Sequence, residues 1–519
     1  MKASDLFVKC LENEGVEYIF GLPGEENADV MMSLKRSSIK FVLCSHEQTV
    51  AFMADGNMDR TPLVVITGQA DTKRMHKESH QAMNVVDMFK PLTKWARQII
   101  HPDNISEVVR KAFKLAETEK PRACHIELPE DIAKQESNNQ PVPFHKLRCP
   151  APDEKIIDQA IALIEQAKRP VILAGNGAIR KRASQQLKQF AENLGIPVFN
   201  TFMGKGALSR TDPHCLFTVG LQAKDYALHI FEQADLVITV GYDLVEYHPR
   251  SWNIGQPKKI LHIDFLPAEV DQEYPVEVEI GADIANALWQ LNERLGQGSA
   301  RFDISVYAET RARILADLAE HKDDTATGAL KPQKVLSDVR QFLGPADILL
   351  SDVGAHKMWI ARYYQCDEPN TCLISNGFCS MGFALPGALA AKLVYPERKV
   401  LAICGDAGVL MNIQDLETAR RLGLNIVIMI WEDHEYRLIK WKQQIEFGEH
   451  SDLTFSNPDW CKLAEAFDCK GLRCDDSTQL GSVLAEAFAA DRPVLLAIPI
   501  DYRENMKLTE PLGTITCRI

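Results

Sequence analysis

Along the chain, short uninterrupted apolar runs alternate with longer stretches whose apolar residues recur at helical spacing. PVILAGNGAI (170–179), IPVFNTF (196–202), DLVITVGYD (235–243) and KKILHID (258–264) are runs of the first kind. So are DILLSDVGAH (347–356), KVLAICGD (399–406), NIVIMIWED (425–433) and PVLLAIPID (493–501). Their apolar cores do not alternate with polar residues, so each reads as a strand covered on both faces, and strands separated by helices pair in parallel. The fold class this predicts is α/β, built from doubly wound parallel sheets. Two stretches interrupt the pattern. Lys134 to Lys155 is rich in Pro, Asn and Gln, and Gly296 to Pro332 carries a charged helix-like segment followed by TATGALKPQ. They divide the chain into domains at 1–140, 152–297 and 330–519. Three domains are also what a chain of this length suggests, at roughly 150–200 residues each.

Composition removes several classes of function. A net charge of −13 would repel a phosphate backbone, so nucleic acid is not an expected partner. No apolar run approaches the roughly 20 residues that a membrane-spanning helix needs. The 13 cysteines are scattered and odd in number, which reads as reduced thiols rather than a disulfide framework. Cys461, Cys469 and Cys474 lack the paired short spacings of a zinc site. The first residues enter an amphipathic helix and a strand with neither signal nor transit character, so the expected location is cytoplasmic.

Candidate chemistry gathers where strands stop. Asp406 follows one apolar run, and Asp433 follows the next, 27 positions later. In open α/β sheets the carboxyl ends of strands face the ligand, and the small residues Ala407 and Gly408 let backbone approach a phosphate there. Two carboxylates beside a phosphate repel it unless a hard cation such as Mg²⁺ lies between them. For either aspartate alone, a helix cap is the commoner role. The upstream segments SDVGAH and SNGFCSMGFALPGALAAKL weigh toward a site.

Together these segments resemble the thiamin-diphosphate-dependent enzymes of the acetolactate synthase and pyruvate decarboxylase superfamily. That signature is Gly-Asp-Gly followed, about two dozen residues later, by a pair of Asn or Asp side chains. Here it stands as Gly405-Asp406-Ala407-Gly408 and Glu432-Asp433. The resemblance implies that Asp406, Asp433 and the backbone carbonyl of Glu435 hold Mg²⁺. It implies that Val353, Gly354, Ala355 and His356 lie beside the diphosphate, and that Met381 wedges between the cofactor's rings. Ala407 in place of glycine keeps the backbone amide, and Asp433 in place of asparagine keeps an oxygen ligand.

In the N-terminal third the resemblance covers the turn Gly21-Leu22-Pro23-Gly24 and the stretch CSHEQTVAFMADG. It makes Glu47 the carboxyl group that hydrogen-bonds the aminopyrimidine, a role favoured by an apolar, water-poor pocket that raises its pKa. His46 is then a structural neighbour, and Gln81 lies near the reacting carbon. Gly241-Tyr242-Asp243-Leu244 stands where flavin-containing relatives carry Arg-Phe-Asp-Asp, so FAD is not expected; GNGAI at Gly175 to Ile179 is an incomplete dinucleotide motif. The implied activity is that of a catabolic-type, flavin-independent acetolactate synthase, condensing two pyruvates to 2-acetolactate and CO₂. Another 2-keto acid decarboxylase or carboligase is the alternative. In this superfamily the carboxylate and the metal motif come from different subunits, which implies a homodimer or homotetramer and leaves room for a regulatory subunit. Whether the product feeds branched-chain amino-acid synthesis or acetoin formation stays open. One departure is large. AFMADG runs directly into NMDRTPLVVITGQ, so that on the order of 30 residues, one βα unit, are absent between about Asp55 and Asn57. Losing an interior strand predicts exposed apolar edges and unpaired backbone groups in the first domain. It also opens the reading of an inactive variant that serves only as a subunit partner.

Overall fold

The structure, a computed structural model, describes residues 1–53, 61–146, 148–180, 182–220, 226–253, 258–296, 301–505 and 508. The chain forms two compact units, Met1–Arg148 and Cys149–Ile519. Among the described residues no helix is long and apolar enough to cross a membrane.

The first unit holds β1 (Tyr18–Gly21), β2 (Lys40–Leu43), β3 (Leu63–Gln69), β4 (Trp95–Gln98) and β5 (Ala123–Pro129). All pairings are parallel, but they make two separate sheets, β1-β2 and β3-β5-β4. β5 lies between two partners and is buried throughout, whereas β3, at an edge, and β1 are only half-buried along nearly their whole length. A sheet missing an interior strand leaves this pattern, because each strand flanking the gap keeps one neighbour and loses the other. The predicted gap itself falls within residues 54–60, outside the described residues. The unit's core is built instead around the helix Ala3–Asn13, whose buried face (Leu6, Phe7, Cys10, Leu11) packs with Ile105, Val109 and Ala112 of the helix Ile105–Glu117.

The second unit contains two six-stranded parallel sheets. The central one uses β6 (Pro170–Ala174), β7 (Val198–Asn200), β8 (Cys215–Thr218), β9 (Leu236–Val240), β10 (Lys259–Asp264) and β11 (Val276–Gly281), in the order β11-β10-β9-β6-β7-β8. The other uses β12 (Ile348–Ser351), β13 (Cys372–Ile374), β14 (Val400–Gly405), β15 (Val427–Glu432), β16 (Lys470–Arg473) and β17 (Val494–Pro499), in the order β13-β12-β14-β15-β17-β16. The eight apolar runs of the sequence each supply a strand. The four strands they miss are short or at an edge: β8 and β13 have four and three residues, β16 reads KGLR, and β11 alternates as VEVEIG. In each sheet the first strand sends the chain outward in one direction and a later strand reverses it. The reversal lies between β6 and β9 in the central sheet and between β12 and β14 in the other. Such switch points are where this architecture opens a crevice at the carboxyl ends of its strands.

β14 and β15 are buried on both faces and paired on both sides, while β1 and β2 have one partner each. Hydrogen exchange should therefore protect amides of β14 and β15 most and those of β1 and β2 far less, with mass-spectrometric uptake of the intact chain as the readout. Equal protection of the two pairs would contradict the split first sheet.

Candidate active site

At the β12/β14 switch point three loops converge. Asp352 follows β12, Asp406 follows β14, and the turn at Met381-Gly382-Phe383 lies over both. Asp352 is fully buried. Its Oδ1 accepts from the backbone N–H of Gly382 at 2.8 Å and of Phe383 at 3.1 Å. Its Oδ2 lies so close to Gly408 that a Cβ added there would sit 2.2 Å away. Gly382 adopts φ +88°, and Asn412 Nδ2 donates to its carbonyl at 2.8 Å. Burial pushes the Asp352 carboxyl up to about 7, against the lowering effect of the backbone donors around it. One side chain thus binds the loop that carries Met381 to the loop that carries Gly408. The sequence analysis missed Asp352 because a lone aspartate after a strand resembles a helix cap.

His356 is buried under the same loops, with its ring against Gly354 and Gly405. Burial lowers its pKa to about 3, so it is neutral. Its Nε2 has no hydrogen-bond partner. Ala355 opens the helix Ala355–Tyr363, and Val353 and Gly354 are half-buried at its approach.

Asp406 is buried and works as a staple. Its Oδ2 accepts from Asp433 N–H at 3.1 Å, His434 N–H at 2.7 Å and Asn457 Nδ2 at 2.9 Å. Its Oδ1 accepts from Ala407 N–H at 3.0 Å. These bonds fasten the segment after β15 to the end of β14, with His434 in the left-handed region at φ +59°. Asp433 Oδ2 accepts from Arg437 Nε at 2.7 Å, and Arg437 also reaches Glu435 at 2.8 Å. Burial first, and then the negative charge of Asp406, push the Asp433 carboxyl up to about 6 in spite of Arg437. Arg437, four residues on, is the signal the sequence held unread: it balances the charge that an aspartate adds where relatives of the motif carry asparagine. Glu432, the other half of the acidic pair, faces elsewhere, accepting from Trp460 Nε1 at 3.2 Å and Arg473 Nη1 at 2.8 Å.

The donor set fits a hard divalent cation. Asp406 Oδ1 takes one bond, from its own neighbour. Asp433 Oδ1 takes only a long one, 3.4 Å from Glu435 N–H, and Asn457 Oδ1 is buried without a partner. Among the described residues no group of three His, Cys, Asp or Glu side chains converges on a metal position; the expected set has only two carboxylates, with the Glu435 carbonyl as its third oxygen. That carbonyl accepts from Arg437 N–H at 2.8 Å and keeps a second lone pair.

Glu47 and Gln81 belong to the first unit. β2 ends at Leu43, so Glu47 opens the helix Glu47–Met53 rather than closing the strand. Its side chain is 79% exposed, with His46 Nδ1 at 3.9 Å, so the chain by itself does not supply the dry pocket expected for this carboxyl. Gln81 sits at φ +56° with its amide turned to the Glu26 carboxylate.

Two switch points, with a carboxylate cluster outside one of them, describe an α/β fold built to bind ligands at the ends of its strands. Family comparison specifies which. Models of the thiamine pyrophosphate enzymes match all three parts of the chain: the N-terminal TPP binding domain at residues 1–59, the central domain at 157–291 and the C-terminal TPP binding domain at 352–498. The chain belongs to this family of thiamine pyrophosphate enzymes. It is 30% identical to an acetolactate synthase of Bacillus subtilis over 547 aligned positions, covering 98% of this chain and 94% of the relative. It is 32% identical to a catabolic acetolactate synthase of Raoultella terrigena (97% and 95% covered) and 31% identical to a probable acetolactate synthase large subunit of Methanocaldococcus jannaschii (99% and 95%). An alignment of 547 positions against 519 residues means that the Bacillus relative carries segments this chain lacks.

The site yields three predictions. A divalent cation held by Asp433 would need that carboxyl ionised, so the apparent Mg²⁺ affinity should fall by roughly tenfold per pH unit below about 6, measured by calorimetry. The same raised pKa makes protonation favour the metal-free fold: that contribution is present below about pH 4 and lost as pH rises through about 6. Gly408→Ala drives a methyl into Asp352 and should lower stability by about 1–3 kcal/mol in denaturant unfolding. An unchanged midpoint would contradict the packing described.

Proposed function

We propose that the chain condenses two pyruvates to 2-acetolactate and CO₂, with thiamin diphosphate and Mg²⁺ as cofactors and without FAD. The observation that carries this is the Asp406–Asp433 cluster at the β12/β14 switch point, in a chain about 30% identical to acetolactate synthases along nearly its full length. Thiamin diphosphate, when bound, supplies a carbon nucleophile and a cationic ring that takes up the electrons released with CO₂. The protein's part is to hold and orient. Asp406, Asp433 and the Glu435 carbonyl hold Mg²⁺, which offsets the repulsion between these carboxylates and a diphosphate. Gly405, Ala407 and Gly408, with residues 353–356, give the diphosphate close backbone, and Met381 supports the cofactor's rings from the loop that Asp352 ties down. Glu47 hydrogen-bonds the aminopyrimidine nitrogen, and Gln81 orients the 2-keto acid.

The exposure of Glu47 supports a homodimer or homotetramer, in which a second copy covers this carboxyl, with room for a regulatory subunit. The described cysteines are all free, which suits a reducing, cytoplasmic setting. The split first sheet favours a second reading, a variant that acts only as the partner of an intact chain.

Purified chain mixed with pyruvate, Mg²⁺ and thiamin diphosphate should release CO₂ and give acetoin after acidification. Acetaldehyde as the sole product would assign a simple decarboxylase, and no turnover would favour the subunit-partner reading. Glu47→Gln should lower turnover by about 10²–10⁴-fold while cofactor affinity stays within a few-fold of the parent.

A further inference from the structure

The central sheet has its own switch point, between β6 and β9, and the proposed chemistry does not use it. In parallel sheets of this kind a nucleotide places its phosphates in that crevice, against the turn after the first strand. Here the turn is Gly175-Asn176-Gly177, the incomplete dinucleotide motif of the sequence, and it already faces an anion. Glu246 is buried, and its carboxylate collects donors from three strand ends. Asn176 N–H, after β6, donates to both oxygens at 3.1 and 3.0 Å. Thr201 Oγ1, after β7, donates to Oε2 at 2.6 Å. Asp243 N–H, after β9, donates to Oε1 at 3.1 Å.

Glycines bring these loops too close together to admit a ligand between them. A Cβ on Gly175 would lie 2.5 Å from the Gly241 carbonyl and 2.8 Å from Glu246 Oε1, and one on Gly177 would lie 2.5 Å from Gly241 Cα. Gly177 N–H donates to the Gly241 carbonyl at 2.8 Å, joining the β6 and β9 turns directly. Gly241 itself sits at φ +58°. The Glu246 backbone also faces the cofactor-binding half of the unit, its carbonyl accepting from Asn376 Nδ2 at 3.0 Å in the loop that leads to Met381.

We infer that Glu246 is a built-in occupant of the central domain's ligand crevice: its carboxylate stands where this architecture seats a nucleotide phosphate. The domain is thereby closed to nucleoside diphosphates and flavin dinucleotides. The same residue links the closed crevice to the Asn376 loop, so the central domain serves as a support for that loop rather than as a second cofactor site. The inference is independent of which 2-keto acid the chain uses.

The test has two arms on the full-length chain. In the first, the parent is titrated with ADP and with FAD by calorimetry and flavin fluorescence. Neither should bind up to millimolar concentration, and binding of either at one per chain, competed by the other, would overturn the inference. In the second, Glu246→Ala leaves the donors of Asn176, Thr201 and Asp243 around a space the size of a carboxylate. Its thermal midpoint should drop, and sodium acetate or inorganic phosphate at millimolar concentration should raise it by several degrees while the parent does not respond at matched ionic strength. Glu246→Gln, which still fills the seat, should be as unresponsive as the parent. An alanine variant no more responsive to acetate or phosphate than the parent would also overturn the inference. If that variant does not fold, the titrations of the parent decide.

Discussion

Taking a carboxylate out of water costs several kcal/mol unless hydrogen bonds or a counter-charge replace the lost hydration. Asp406 is buried at the end of β14, and the surrounding chain is arranged to meet that demand. Three donors come from the segment beyond β15 and from Asn457, and one comes from Ala407. Satisfying this carboxylate fixes where residues 433–435 lie, and so fixes the position of the second carboxylate and of the Glu435 carbonyl. The need to keep one buried charge hydrogen-bonded thus also builds the place where we propose that Mg²⁺ sits. Arg437 pairs with Asp433 there and offsets its negative charge.

The same physics recurs at three strand ends with different outcomes. Asp352 is spent on backbone N–H groups of Gly382 and Phe383, and it joins the β12 and β14 sides of one crevice. Glu246 is spent on the backbone N–H groups of Asn176 and Asp243, and it fills the other crevice. Burial raises the pKa of both to about 7, which marks how completely the protein has desolvated them. Only the Asp406 cluster keeps oxygens that are lightly used. Two sheets of like topology therefore differ at their switch points: the chain's own carboxyl group fills one, while the other keeps carboxylate oxygens with few hydrogen bonds.

Much of this was legible in the sequence, and the limits were physical. Long apolar runs announced the interior strands because burial on both faces requires them, whereas β11 and β16 at sheet edges carry polar residues and were passed over. Asp406 and Asp433 could be read because each ends such a run. Asp352 and Glu246 could not, since their partners are mostly backbone amides from distant loops, and no residue type at those positions signals the pairing. Arg437 could have been read from its spacing, since it opens the helix Arg437–Phe447 four residues after Asp433 and pairs with it. The dry setting expected for Glu47 is not formed within the chain, where its side chain is 79% exposed.

The central claim is that Asp406 organises a cation-dependent seat for thiamin diphosphate. Calorimetric titration of thiamin diphosphate into the intact chain, with Mg²⁺ and with a chelator, and into Asp406→Ala with circular dichroism as a check on folding, tests it most directly. The account predicts saturable binding with Mg²⁺, loss of that binding in chelator, and an affinity lower by orders of magnitude in a folded Asp406→Ala. Equal affinity with and without Mg²⁺, or in the folded variant and the parent, would contradict it.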